Sequence, residues 1–194
     1  MNFKKLQAMQ AKLDEAILAD KAPMTAEERF NKTLVALSVE IAEVANTVEH
    51  FKFWKDNKGK IDYDRFDVDW DYEGTPIIGY YDYKKGAAYQ ISYEQAHRLT
   101  LVEECSDALH FILSLANQCE YEIDVNLNWI AGEESLKEYY YITLQTALFD
   151  DSGVDGIIAT FLNYTKSLGI EPQELEQAYY DKNKINYERL ENRY

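Results

Sequence analysis

The chain has 194 residues, 46% of them hydrophobic and 28% charged, and its 35 acidic against 20 basic residues leave a formal net charge of −15. That length and composition suit one folded domain, or one domain with a large insertion, whose core needs no disulfide staples. The acidic surplus excludes a generic nucleic-acid binder, because phosphate contacts draw on surplus Lys and Arg, but it admits a polyphosphate bridged to the protein by divalent cations. Cys105 and Cys119 cannot build a disulfide framework, which favours a reducing compartment. The N-terminal stretch MNFKKLQAMQAKLDE is too charged for a signal peptide, and no apolar run approaches the ~20 residues of a membrane span. The expectation is a soluble, cytoplasmic protein with neither nucleic acid nor membrane as partner.

The first predicted helix covers about Phe3 to Ala19, with Phe3, Leu6, Leu13 and Ile17 on one stripe. Gln10 falls on that stripe, where a buried amide must find partners or cost roughly 1–3 kcal/mol. Thr25 followed by Glu28 reads as a capping box. The second helix is expected to run from there to about Asp56, with Phe30, Leu34, Leu37, Ile41, Val44, Val48 and Phe51 spaced alternately four and three. Its end, FKFWK (Phe51 to Lys55), brings aromatics that either close the core or wall a base pocket. From about 58 to 96 the chain turns rich in tyrosine, glycine and aspartate, which predicts an irregular insertion. Within it only TPIIGYYDY has the weak alternation of a short hairpin. Helix returns from about Ser92 to Tyr121, its stripe formed by Leu101, Cys105, Ala108, Ile112 and Leu115. Two further helices are predicted at Glu134–Phe149 and Val154–Leu168, with DDSG between them, and Pro172 opens a last helix towards Arg189.

Two of these helices carry paired carboxylates at the edge of their apolar stripes. Glu40 and Glu43 stand three apart on the second helix, and Glu104 and Asp107 do the same on the later one. Glu103 projects outward as a surface residue. Each pair alone is a common pattern of a solvated helix shoulder. If the two packing faces meet, four carboxylates converge, and desolvated like charges repel strongly unless cations sit among them. An all-oxygen donor set favours Mg²⁺ or Mn²⁺ over zinc. On the last helix the face begun by Leu175 and Tyr179 continues as Lys182, Asn186 and Arg189. Those groups suit phosphate oxygens, or else a solvated helix C-terminus favoured by the dipole. A di-iron bundle requires Glu-x-x-His from two helices, and Asp107 with His110 is one imperfect match without a second copy.

Four stretches in order carry a resemblance: MQAKLD (Met9–Asp14), ALSVEIAEVANTVEHFKFW, EECSDALHFILSLA and YYDKNKINYERLENRY. With them the chain resembles the dimeric all-α dUTPases, within the wider all-α nucleoside triphosphate pyrophosphohydrolases. ExxE with ExxD marks the wider group, while the FKxW ending, the LHFILS run and the last motif point to dUTPase. The resemblance implies one all-α domain over 1–194, a helical bundle with four core helices around a carboxylate metal site and the insertion at about 58–96. It implies an obligate homodimer whose sites draw on both subunits. It implies Mg²⁺-dependent hydrolysis of dUTP to dUMP and pyrophosphate by a metal-activated water, with Mn²⁺ as a substitute ion. Glu40, Glu43, Glu104 and Asp107 would be the metal ligands, and Glu43 the catalytic group that orients or deprotonates the water. Lys182, Asn186 and Arg189 would hold the phosphates. Gln10 would read the uracil edge, with Asn46 and Trp54 near the deoxyribose or base. The chain departs from the family at its end, Arg193-Tyr194 in place of the usual Gly-Tyr, and in the length of the insertion. Two alternatives stay open: a related pyrophosphohydrolase acting on dCTP or a modified nucleotide, and a non-catalytic helical dimer that binds nucleotide or a protein partner.

Overall fold

Ser92 accepts the Gln95 backbone N–H while the Gln95 side chain accepts the Ser92 N–H, a reciprocal cap that starts the longest helix of the computed structural model, α3 (Tyr93–Gln118). The structure describes residues 1–19, 21–82 and 86–192, so the Arg193-Tyr194 end lies outside the described residues. Leu101, Val102, Cys105, Ala108, Leu109, Ile112, Leu113, Leu115 and Ala116 of α3 are all buried. A helix that is apolar almost all round has to sit at the centre of its fold. Packed against it are α1 (Phe3–Ala19), α2 (Ala26–Val48), α5 (Gly153–Ser167) and α6 (Pro172–Glu191), while α4 (Lys137–Ala147) joins α5 to α2. The expected helical bundle is there, built among the described residues from six α-helices.

The helix starts follow their signals. Thr25 accepts the Glu28 N–H at 3.1 Å, but the Glu28 carboxylate turns to Lys32 instead of closing the box. Pro172 stands at the first position of α6, where its missing N–H is no loss.

Two expectations are corrected. First, α2 stops at Val48, well short of Asp56. Glu49 adopts a left-handed backbone, φ 56°, and turns its carboxylate under the chain. There, at 1% exposure, it accepts from Lys52 Nζ at 2.7 Å, from Lys55 Nζ, and from the Gly59 N–H at 3.1 Å. FKFWK therefore lies in the following turns, and Phe51 leaves the stripe for the surface. Second, the insertion is ordered as a sheet. Strands β1 (Asp67–Trp70), β2 (Pro76–Asp82) and β3 (Ala87–Ile91) form an antiparallel meander in the order β1-β2-β3, with Tyr80 opposite Tyr89. It has a small core of its own, Ile61, Phe66, Ile78 and Ala96, the last from the first turns of α3. The strands alternate weakly in sequence because most of their residues are exposed or half-buried on both faces.

Burial opposes ionisation of Glu49, but Lys52 and Lys55 overcome it and draw its pKa down to about 2. Its stabilising contribution is thus complete above the ordinary value of 4.5 and is lost as pH falls towards about 2. At neutral pH, Glu49→Ala is expected to lower unfolding free energy by about 1–3 kcal/mol. Glu49→Gly should lose about 1 kcal/mol less, because glycine tolerates positive φ. Urea denaturation of the two variants measures both; equal losses would remove backbone strain from the account.

Candidate active site

The packing of α2 on α3 brings three carboxylates together. Glu40 comes from α2, and Glu104 and Asp107 come from α3, three residues apart and hence on one face. One oxygen from each lies within 4.8 Å of the others, and all three side chains are half-buried. Burial, followed by the charge of Asp107, pushes Glu40 up to about 7. The same two causes, with Glu40 adding to them, push Glu104 up to about 7. Burial also raises Asp107, against the pull of Lys182. Glu43 lies one turn further along α2 and is exposed, outside this cluster but near enough for its charge to raise Glu40. So the structure brings together three of the four expected ligands and sets the fourth beside them.

Lys182 enters from α6. Its ammonium donates to Asp107 Oδ2 at 2.6 Å and to Glu103 Oε1 at 2.9 Å, with the side chain only 10% exposed. Burial disfavours its charge, but Asp107 and Glu103 hold its pKa above the ordinary lysine value. Glu103 is consequently no outward surface residue, contrary to the reading of its helical position. It is bound on one side by Lys182 and on the other by Arg65, and these cations outweigh its burial and keep it below the ordinary carboxylate range. Helix projection missed it because the arginine comes from the insertion and the lysine from another helix.

Beside the carboxylates opens a cleft of about 390 Å³. It is lined by Gln10 and Asp14 of α1, by Arg29, Thr33 and Glu40 of α2, and by Asp107, His110 and Ser114 of α3. Lys182, Asn186 and Arg189 of α6 complete one wall, and Leu13, Ile17, Leu18 and Phe111 supply apolar surface. Gln10 is 3% exposed and held by three partners: Nε2 donates to Asp14 at 2.7 Å, and Oε1 accepts from His110 at 2.7 Å and from the Tyr179 hydroxyl at 3.0 Å. Burial, then the nearby charge of Lys182, lowers His110 to about 3, so its ring is neutral. It stacks on Tyr179 with centroids 4.1 Å apart.

Asn46 and Trp54 do not line the cleft. Asn46 is half-buried on α2. Trp54 is 66% exposed in the turns after α2, edge-on to Phe51 and Phe53. Sequence reasoning assigned no role to Asp14, His110 or Tyr179, although spacing pointed to them. Asp14 is four residues after Gln10, His110 three after Asp107, and Tyr179 three before Lys182, each on the same helix face as its neighbour. The arrangement has one wall of acidic oxygens, one of cations and amide, and an apolar recess with a fixed polar edge. It can take a molecule that is polyanionic at one end and a flat, hydrogen-bonding ring at the other.

A family model described as dUTPase matches residues 2–67 and 91–194, which include every cleft residue named above; the stretch between, 68–90, holds most of the sheet. No curated protein matches the chain.

Proposed function

The chain belongs to the dUTPase family and hydrolyses dUTP to dUMP and pyrophosphate, and from that premise we propose that the cleft between α1, α2, α3 and α6 is where it does so. The observation that carries this reading is the convergence of Glu40, Glu104 and Asp107 opposite the cationic face of α6. We read residues 1–194 as one catalytic domain with the sheet inserted into it.

The donor set fits a hard divalent cation, since the three clustered groups offer only carboxylate oxygen. Glu40, Glu104 and Asp107 would hold Mg²⁺, or Mn²⁺ in its place, with Glu43 completing the set. When bound, the cation neutralises the cluster and withdraws charge from the phosphate oxygens. The remaining work falls to side chains. The Glu43 carboxylate, exposed one turn along α2 from Glu40, orients the attacking water and takes its proton. Lys182 exchanges Asp107 and Glu103 for phosphate oxygens, and Asn186 and Arg189 extend the same face. These donors stabilise charge that grows as the phosphoanhydride bond breaks. Gln10 meets the uracil edge in the recess. Asn46 and Trp54 are assigned to the sugar or base; the exposure of Trp54 suits a site shared between subunits.

A homodimer is supported by an uncovered apolar face. Val35 and Val39 of α2 and Tyr139 and Ile142 of α4 are 65%, 52%, 61% and 63% exposed, on helices linked by the Ser38–Gln145 contact. Among the described residues, no helix is long and apolar enough to cross a membrane. We assign the enzyme to the cytoplasm on its two unpaired cysteines.

Pyrophosphate release from purified protein with Mg²⁺ is expected to be fastest with dUTP among the deoxynucleoside triphosphates, and Glu43→Gln should lower kcat about 10²–10⁴-fold. A preference for dCTP would overturn the substrate, and an active Glu43→Gln variant the proposed base. Glu40 and Glu104 titrate near 7, above their ordinary 4.5, so the stability that protonation gives them is complete below 4.5 and is lost as pH rises through about 7. Without divalent cations, Tm should therefore fall as pH rises from about 5 to about 8, and Mg²⁺ should raise Tm more at the higher pH. A thermal scan showing no Mg²⁺ effect at about pH 8 would count against the metal site. Finally, Val39→Glu together with Ile142→Glu is expected to convert the dimer to monomer in sedimentation velocity, and an unchanged dimer would move the interface elsewhere.

A further inference from the structure

The amide of Gln10 is held in one polarity, and a single residue decides which. Its Oε1 faces His110 Nδ1 and the Tyr179 hydroxyl; its Nε2 faces Asp14 Oδ1. Two of these three partners could serve either polarity. A neutral imidazole presents Nδ1 as donor or acceptor according to tautomer. The Tyr179 hydroxyl, which also lies 3.3 Å from the Leu6 carbonyl, could donate there and accept from an amide N–H instead. Asp14 has no such freedom, because an ionised carboxylate only accepts. Its other oxygen is fixed as well, taking Ser114 Oγ at 2.7 Å and Arg29 Nη2 at 3.1 Å. The atom of Gln10 that faces Asp14 must then be the NH₂. Among the described residues Nε2 has no other acceptor, so its second N–H is the group left for a ligand. Both lone pairs of Oε1 are already in use.

This inference rests on the cleft being the dUTP site. Uracil and cytosine carry the same carbonyl at position 2, so a donor there cannot choose between them. At position 3 uracil has N–H and cytosine a bare nitrogen, so a donor there would favour cytosine. At position 4 uracil has a carbonyl and cytosine an amino group, and only there does a donor favour uracil. We propose that Asp14 is a specificity-positioning residue. By fixing the Gln10 amide with N–H towards the base, it presents position 4 with a donor that donates to the uracil carbonyl and refuses the cytosine amino group. Thymine, with the same carbonyl, is not refused by this contact.

Asp14→Asn tests it. The new amide oxygen would remain with its two donors, Ser114 and Arg29, which leaves an NH₂ facing Gln10. Gln10 then turns over and offers its carbonyl to the base. The ratio of kcat/KM for dUTP to that for dCTP should fall at least about tenfold, the scale of one reversed hydrogen bond. Tyr179→Phe, which leaves Asp14 in charge of polarity, should hold the ratio within about threefold. A purely structural lesion would depress both substrates alike in either variant. A measurement on the unaltered protein guards against a variant that does not fold. The 4-thio analogue of dUTP keeps the N3–H but weakens the acceptor at position 4, and its kcat/KM should be about tenfold below that of dUTP. In Asp14→Asn that penalty should vanish. Normal dUTP turnover with an unchanged ratio in folded Asp14→Asn, or with no penalty for the 4-thio analogue, overturns this inference alone. Absence of dUTP turnover in the unaltered protein overturns the site reading with it.

Discussion

Repulsion among Glu40, Glu104 and Asp107 is the constraint around which the helices are arranged. Three carboxylates with oxygens within 4.8 Å would not gather in a half-buried place unless packing forced them there. The force comes from the seam beneath. Leu37, Ile41 and Val44 of α2 and Leu101, Cys105 and Leu109 of α3 are all buried, and burying each large side chain contributes about 1.5–3 kcal/mol. That seam fixes the register of the two helices and with it the position of the acids one step away. The raised pKa of Glu40 and of Glu104 is the visible residue of the conflict, and Lys182 is its partial relief.

The same division between apolar seam and polar margin decides how much was legible in the sequence. Helices α1, α3, α5 and α6 follow from periodicity and caps, because a stripe that repeats at helical spacing has few other ways to be buried. The acidic pairs were legible for the same reason, since their place is measured from the stripe. What was not legible depends on contacts that helical periodicity does not announce, some of them between distant segments. The end of α2 is set by a carboxylate that finds Lys52, Lys55 and Gly59, and no local signal announces it. Glu103 looks solvent-facing on its own helix and is turned inward by Arg65 and Lys182. The sheet showed only as a weak hairpin at TPIIGYYDY because its strands are short and mostly exposed or half-buried, so the period-two signal that burial would impose is faint.

The recess shows polar residues directing one another. Gln10, Asp14 and His110 all line the cleft, and with Tyr179 they hold the Gln10 amide in one network. Each comes with helical spacing from a residue already singled out, and three helices contribute to the network. Such networks are specific because every group in them must be satisfied, and one group with a fixed role propagates that role to its neighbours.

The clamp at Glu49 has a consequence for how the chain tolerates change. Its carboxylate ties down the path from the end of α2 to Gly59, and the reciprocal cap at Ser92 independently fixes where α3 begins. The chain between Gly59 and Ser92 enters and leaves at two anchored points whose hydrogen bonds do not involve the strands. Lengthening or exchanging the strands would alter a loop whose closure entropy grows only slowly with size, while the register of α2 and α3 stays as it is. The sheet can thus diverge outside the few residues, such as Ile78, that pack on the start of α3, while the α2–α3 scaffold keeps its register.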